Sequence, residues 1–252
     1  MKKKTVAVIM TAVMAMGMVS AVSVQAGVED KTLIVGFDAE YPPYGYMDEN
    51  GEYTGFDLEL AQAVCDIEGW ELVKKPINWD SKDMELNSGS IDCIWNGFTM
   101  NGREDDYTFS EPYVDNSQVI VVSEASGIEK LTDLAGKTVG VQAASAALDL
   151  LNSEEEGGQK ALADTFGALN EFADYNTAFT ELQAGALDAL AIDVGVAKYQ
   201  LNSRGEGFKI LDETLNTEQY AIGFKKGNTE LCDIVNTDLQ KLADDGTVAK
   251  LA

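Results

Sequence analysis

A ten-residue pattern that occurs twice constrains this chain more than any other feature. Glu85-Leu-Asn-Ser-Gly-Ser-Ile-Asp-Cys-Ile returns as Glu181-Leu-Gln-Ala-Gly-Ala-Leu-Asp-Ala-Leu, with Glu, Leu, Gly and Asp at the same offsets. Each copy reads as a helix stopped by a glycine and followed by a strand. Gly89 and Gly185 lack a Cβ and can take the left-handed conformation that ends helices. The runs 91–95 and 189–192 are apolar enough for strands buried on both faces of a sheet. A unit used twice points to two similar α/β lobes. The competing account is chance, because helix-glycine-strand connections are common.

Ligands of open α/β sheets bind beyond the carboxyl ends of the strands. There the first copy turns polar and small, at Asn96, Gly97 and Thr99, with Arg103 four residues further on. The second copy delivers Asp193 at the corresponding place. Arginine is scarce: only Arg103 and Arg204 stand against sixteen lysines. Its planar fork of donors suits a carboxylate better than an ammonium does. Arg103 either serves a ligand carboxylate or pairs at the surface with Glu104 or Asp105, an interaction worth little. A buried carboxylate without a partner is costly, so Asp193 requires one: a ligand ammonium, or the start of the helix expected at 194–201. A cation from one lobe and an anion from the other are what a zwitterionic amino acid needs. Ser145 is a natural N-cap, and the free first-turn amides behind it, Ala146 included, offer a second carboxylate site. An ordinary cap without a ligand is the alternative.

Six motifs surround these residues: Val35-Gly-Phe-Asp-Ala-Glu-Tyr-Pro-Pro-Tyr, Gly55-Phe-Asp-Leu-Glu-Leu-Ala, Gly97-Phe-Thr-Met-Asn-Gly-Arg, Phe109-Ser-Glu-Pro-Tyr, Gly136-Lys-Thr-Val-Gly-Val-Gln and Leu182-Gln-Ala-Gly-Ala-Leu-Asp. In this order they resemble the extracytoplasmic solute-binding proteins of polar amino-acid ABC importers, which have the type II periplasmic-binding fold. The similarity covers essentially all of the chain after the first 30 or so residues. It implies two α/β lobes with a ligand cleft between them. It also implies capture of a polar amino acid outside the cytoplasmic membrane and delivery to a membrane-embedded ABC permease, by a monomer that is not an enzyme and needs neither metal nor other cofactor. Tyr41 matches the family's aromatic ring under the ligand, and Trp79 its covering ring. Otherwise Tyr41 staples the Pro42-Pro43 turn and Trp79 belongs to the core. Asp38 is common in the family whatever the ligand, and with Glu40 it would suit a cationic side chain. No spare Lys or Arg is evident for an acidic one, and a neutral ligand such as glutamine or cystine is expected. The alternative on the same fold is an enzyme, a periplasmic dehydratase of the cyclohexadienyl type. A receptor's sensing domain is a third class.

Around this frame the chain divides into a leader at 1–26, a first lobe at 27–114, a second at 115–213 and a return to the first at 214–252. The leader has Lys2 to Lys4, an apolar run and Val24-Gln-Ala26, the pattern of a secretory signal peptide. No cysteine precedes Cys65, so a free rather than lipid-anchored exported protein is expected. The net charge of −25 disfavours nucleic acid and anionic membrane surfaces as partners. Three cysteines are too few for a disulfide framework; Cys65 and Cys93 read as core thiols, with one bridge left open. The absence of histidine removes the usual metal-binding and Ser-His or Cys-His constellations. Local signals add a helix at 81–87 capped by Asp80, a helix at 128–135 and a strand at 172–175.

Overall fold

The computed structural model describes residues 31–252; the expected leader lies outside the described residues. The described residues begin with strand β1 (Thr32–Phe37) and a small ribbon, β2 (Glu40–Tyr41), β3 (Gly45–Met47) and β4 (Tyr53–Thr54). Helix α1 (Phe56–Glu68), β5 (Glu71–Pro76), α2 (Lys82–Ser88), β6 (Cys93–Ile94) and β7 (Tyr107–Phe109) follow. The middle of the chain supplies β8 (Val114–Ser123), β9 (Thr138–Gln142), α3 (Ala146–Asn152), α4 (Lys160–Ala163) and β10 (Ala168–Phe172). It continues with α5 (Tyr175–Gln183), β11 (Ala189–Asp193), α6 (Val194–Arg204), β12 (Phe208–Ile210) and β13 (Asn216–Tyr220). Strand β14 (Gly223–Lys225) and helices α7 (Thr229–Asp244) and α8 (Thr247–Leu251) end it.

Two sheets organise these elements into two lobes. The first has the order β5-β1-β6-β14-β7, the second β10-β9-β11-β8-β12, with β13 also paired to β8. In the first, β5, β1 and β6 are parallel. Their carboxyl ends therefore lie side by side, which brings Asp38, Trp79 and Asn96-Gly97 to one edge. In the second, β10, β9 and β11 are parallel and end at Phe172, Gln142 and Asp193. The chain leaves the first lobe through β8 and comes back along β13, which runs antiparallel to it from Asn216↔Gln118 to Tyr220↔Val114. These two strands are the crossing between lobes.

The strands form where apolar runs are covered on both faces. On β11, Ala189 and Ala191 face Leu148 and Leu151 of α3, while Leu190 and Ile192 face Tyr175 and Phe179 of α5. Burying each Leu or Ile side chain contributes about 1.5–3 kcal/mol. Leu33, Val35 and Phe37 of β1 pack on Leu58 and Val64 of α1 and on Leu231 and Val235 of α7. Gly69, at φ 68°, ends α1 and donates its N–H to the Cys65 carbonyl. All three cysteines are free thiols and buried.

Several local expectations are corrected. Residues 91–95 are all buried, but only Cys93–Ile94 is strand, because its β14 partner is short and the chain turns at Asn96-Gly97. Asp80 caps no helix: Trp79–Ser81 is itself a 3-10 turn, and α2 follows it without a side-chain cap. The segment at 128–135 is a 3-10 turn, Leu131–Leu134, held by Asp133 accepting the Lys130 amide. The strand expected at 172–175 lies earlier, at Ala168–Phe172, because Asp174 already caps α5 by accepting the Thr177 amide at 2.7 Å.

Candidate ligand-binding site

The first lobe contributes the turn after β6. Gly97 sits at φ +56° and donates its amide to Asp57 Oδ2 at 2.5 Å. A Cβ on Gly97 would lie 2.9 Å from Tyr41 Cε1 and 3.0 Å from Tyr220 Cε2, so only glycine lets the turn pass between the rings. Asn96 Oδ1 accepts the Asp38 amide at 2.9 Å, joining the ends of β1 and β6. Thr99 Oγ1 donates to Glu218 Oε1 at 2.8 Å. The Arg103 guanidinium lies 5.0 Å over the Phe98 ring. Trp79 is half-buried, edge-on to Phe98, with Lys82 Nζ 5.2 Å over its ring.

The second lobe contributes three strand or helix ends. At the end of β9, Gln142 Nε2 donates to Asp38 Oδ2 at 2.7 Å, a bond across the cleft. Ala144 stands at φ +54°, a strained position for a residue with a Cβ. Its carbonyl accepts Lys82 Nζ from the first lobe at 3.2 Å. Ser145 caps α3 by accepting the Leu148 amide, leaving the first-turn amides outside the helical ladder. At the end of β11, Asp193 Oδ1 accepts from Asn116 Nδ2 at 2.8 Å, Gln118 Nε2 at 2.6 Å and the Tyr220 hydroxyl at 2.6 Å. Asp193 stands at the N-cap of α6 yet makes no side-chain cap bond, so the helix start is not its partner.

These groups converge. Tyr41, Trp79, Gly97, Thr99, Arg103, Ser145, Ala146 and Asp193 line one narrow pocket between the lobes, joined by Asn96 and Gln142. Asp38 lines instead a neighbouring cavity of about 780 Å³, which shares Trp79. Tyr41 and Tyr44 of the first lobe are buried against Tyr175, Phe179 and Tyr220, with the Tyr41 hydroxyl 3.3 Å from that of Tyr220. Arg103 does not pair with Glu104 or Asp105. Its Nη2 lies 2.7 Å from Asp149 Oδ2 on α3, an ion pair from lobe to lobe whose acid is largely exposed.

The pocket is lined by a guanidinium from the first lobe and a carboxyl from the second. Burial pushes the Asp193 carboxyl up, with repulsion from Glu218 adding to it and the donated hydrogen bonds opposing it. Burial also raises Asp38 to about 6, against hydrogen bonds from the Glu40 amide and Gln142. The sequence-based site omitted Gln142, Lys82 and Glu218. Gln142 ends an apolar strand as Asp193 does, so the same rule points to it. Lys82 carries no such signal: a lysine in the first turn of a short helix is ordinarily solvated, yet this one is 5% exposed. Among the described residues no group of three or more His, Cys, Asp and Glu side chains is placed to hold a metal ion.

Two lobes, a paired-strand crossing and a pocket between them lined by Arg103 and Asp193 are the architecture of a two-lobed ligand-binding protein. Residues 33–252 match the family of bacterial extracellular solute-binding proteins, family 3, and the chain belongs to that family. The chain is similar to the L-cystine-binding protein TcyJ of Escherichia coli K12, 29% identical over 252 residues, covering 95% of this chain and 91% of the relative. It is also similar to the arginine-binding extracellular protein ArtP of Bacillus subtilis, 33% identical over 225 residues, covering 88% and 84%. Its fold matches the crystal structure of an ABC uptake transporter substrate-binding protein from Streptococcus pneumoniae with bound histidine. That match has a TM-score of 0.83 and 33% identity over 88% of this chain and 91% of that one. These relatives are binding proteins, and family members are extracellular. Among the described residues no helix is long and apolar enough to cross a membrane.

Proposed function

We propose that the protein captures one polar amino acid between its lobes outside the cytoplasmic membrane and presents it, as a monomer and without turnover, to an ABC permease. The observation that carries this is the placement of Arg103 from one lobe and Asp193 from the other in a single pocket. Arg103, the Thr99 region and the first-turn amides at Ser145 and Ala146 take the carboxylate. Asp193 takes the ammonium, and Tyr41 and Trp79 flank the side chain. A ligand carboxylate competes with Asp149 for the Arg103 fork, a weak rival because its side chain is 64% exposed. Contacts to both lobes favour the closed form, so the ligand shifts an open-closed equilibrium by its differential affinity.

From this pocket the side chain can extend past Trp79, which also lines the neighbouring cavity. Its wall includes Asp38, Glu40, Asp80, Glu85, Glu171 and Asp174, with no lysine or arginine. That field disfavours an acidic side chain and leaves neutral and cationic ones, in keeping with relatives that take cystine, arginine and histidine.

A thermal-shift screen of the common amino acids and cystine identifies the ligand, since ligand at a hundred times its Kd adds about 2.7 kcal/mol. Calorimetry on Arg103→Ala and Asp193→Ala then tests the site. Removing one partner of a buried charge pair costs about 3–5 kcal/mol, or roughly two to four decades in Kd. Each variant is expected to lose binding nearly completely and keep its fold. The α-amide of the ligand should lose affinity through Arg103, and the des-amino acid through Asp193. Undiminished binding by Asp193→Ala would overturn the ammonium seat. Product formed from prephenate by the wild-type protein would favour the dehydratase alternative.

A further inference from the structure

Asp193 does not stand alone in the hinge. Glu218 on β13 is 4% exposed and shares its donors. Asn116 Nδ2 lies 2.8 Å from both Asp193 Oδ1 and Glu218 Oε1. Gln118 Nε2 lies 2.6 Å from the first and 2.8 Å from the second. Two amide groups thus bridge two buried carboxylates. The amide carbonyls, Asn116 Oδ1 and Gln118 Oε1, are buried without a protein partner, so both side chains are oriented by the acids rather than by their own acceptors. Among the described residues neither acid is ion-paired with a lysine or arginine. An uncompensated pair of buried acids is costly; Asp193 opens onto the ligand pocket, while Glu218 and Asn116 line a separate cavity.

The same cluster spans the crossing. Asn116 and Gln118 lie on β8, Glu218 on β13, Asp193 at the end of β11, and Thr99 reaches Glu218 from the first lobe. We propose that Glu218 is a positioning residue for ligand capture: it joins Asp193 through Asn116 and Gln118 into one anionic seat, so that an arriving ammonium is felt directly by the crossing strands. This role presupposes that Asp193 receives the ammonium. Glu218 adds long-range attraction in a low-dielectric hinge without touching the ligand. It also raises the tendency of Asp193 to hold a proton when the site is empty. The remaining titratable and charged groups around Asp193 are Tyr41, Tyr44, Tyr175 and Tyr220, with Arg103 lining the same pocket.

The test uses Glu218→Gln, which keeps size and one oxygen to accept from Thr99, Asn116 and Gln118 but removes the charge and the long bond from Asn216, and Glu218→Asp, which keeps the charge. Carbon-detected NMR of the ligand-free protein reads the Asp193 carboxyl titration, and it is expected to move to lower pH in Glu218→Gln but not in Glu218→Asp. The binding arm uses whichever of L-arginine, L-histidine, L-glutamine and L-cystine gives the largest thermal shift, together with the same compound lacking its α-amino group. At pH 8 Glu218→Gln should bind the amino acid about tenfold or more weakly, the order expected for a charge several ångströms away at an effective dielectric near 20. It should bind the des-amino compound less than twofold differently. Towards pH 5 the gap should narrow, because the wild type must first release the Asp193 proton. Glu218→Asp should restore most of the affinity. An unchanged Asp193 titration, or equal losses for both compounds, overturns the role of Glu218. If Asp193→Asn keeps wild-type affinity, the ammonium seat itself fails instead.

Discussion

At the scale of single residues the pocket depends on what is absent as much as on what is present. Gly97 has no Cβ, and one placed there would press on Tyr41 and on Tyr220, whose hydroxyl holds Asp193. Its positive φ adds a penalty of roughly 1–2 kcal/mol for any L side chain. Gly97→Ala is therefore expected to destabilise the protein by about 1–3 kcal/mol in urea unfolding. It should also weaken ligand binding in calorimetry, because the displaced ring moves a donor of Asp193. Loss of stability with unchanged affinity would separate the turn from the pocket. Arg103 and Asp193 were legible in the sequence because each follows an apolar strand with a charge a ligand can use. Lys82 was not: its burial under Ala144 depends on the other lobe closing over it.

At the scale of elements, helices and strands deliver groups across the cleft, and close approach requires small residues where they meet. Gly195 lies in the first turn of α6, and a Cβ there would collide with the Tyr44 hydroxyl of the first lobe. In an isolated helix, Gly→Ala is favourable by up to about 1 kcal/mol. Gly195→Ala separates the two effects. The open protein should be as stable as wild type or slightly more so in thermal unfolding. Its ligand affinity should fall, and small-angle scattering should show less compaction on ligand addition. Normal affinity and normal compaction would mean that Tyr44 simply turns aside.

At the scale of the molecule, buried acids couple stability to pH. Asp57 is fully buried and pushed up to about 7, Asp38 to about 6, and Asp193 is raised as well, all by desolvation first. A carboxyl whose folded value exceeds the ordinary 3.8 binds more protons in the native state. Its contribution is fully present below the unfolded value and is lost as pH rises through the folded one. Each such group lowers stability by up to about 1.4 kcal/mol per pH unit within that window. The ligand-free protein should therefore have a higher Tm at pH 5 than at pH 8, reinforced by the self-repulsion of a net charge of −25. Asp57→Asn can still accept the Gly97 amide and should flatten part of the slope. A Tm that is level from pH 5 to pH 8, or a slope untouched by Asp57→Asn, would contradict the assignment.

What the sequence determined by itself was local and periodic. The repeated helix-glycine-strand unit identified two α/β lobes, because hydrophobic period and glycine stops are properties of short windows. The strand-end rule pointed to Thr99, Arg103 and Asp193, which line one pocket, because parallel strands share a direction and so share an edge. Tertiary structure alone decided the partners. Arg103 meets Asp149, Gln142 meets Asp38, and Asp193 and Glu218 share Asn116 and Gln118, over separations of 46 to 104 residues along the chain. It also decided that the Trp79 segment is a 3-10 turn, that Asp80 caps nothing and that Asp193 is not a helix cap. Such pairings depend on how two lobes close on each other, and no local window of sequence carries that geometry.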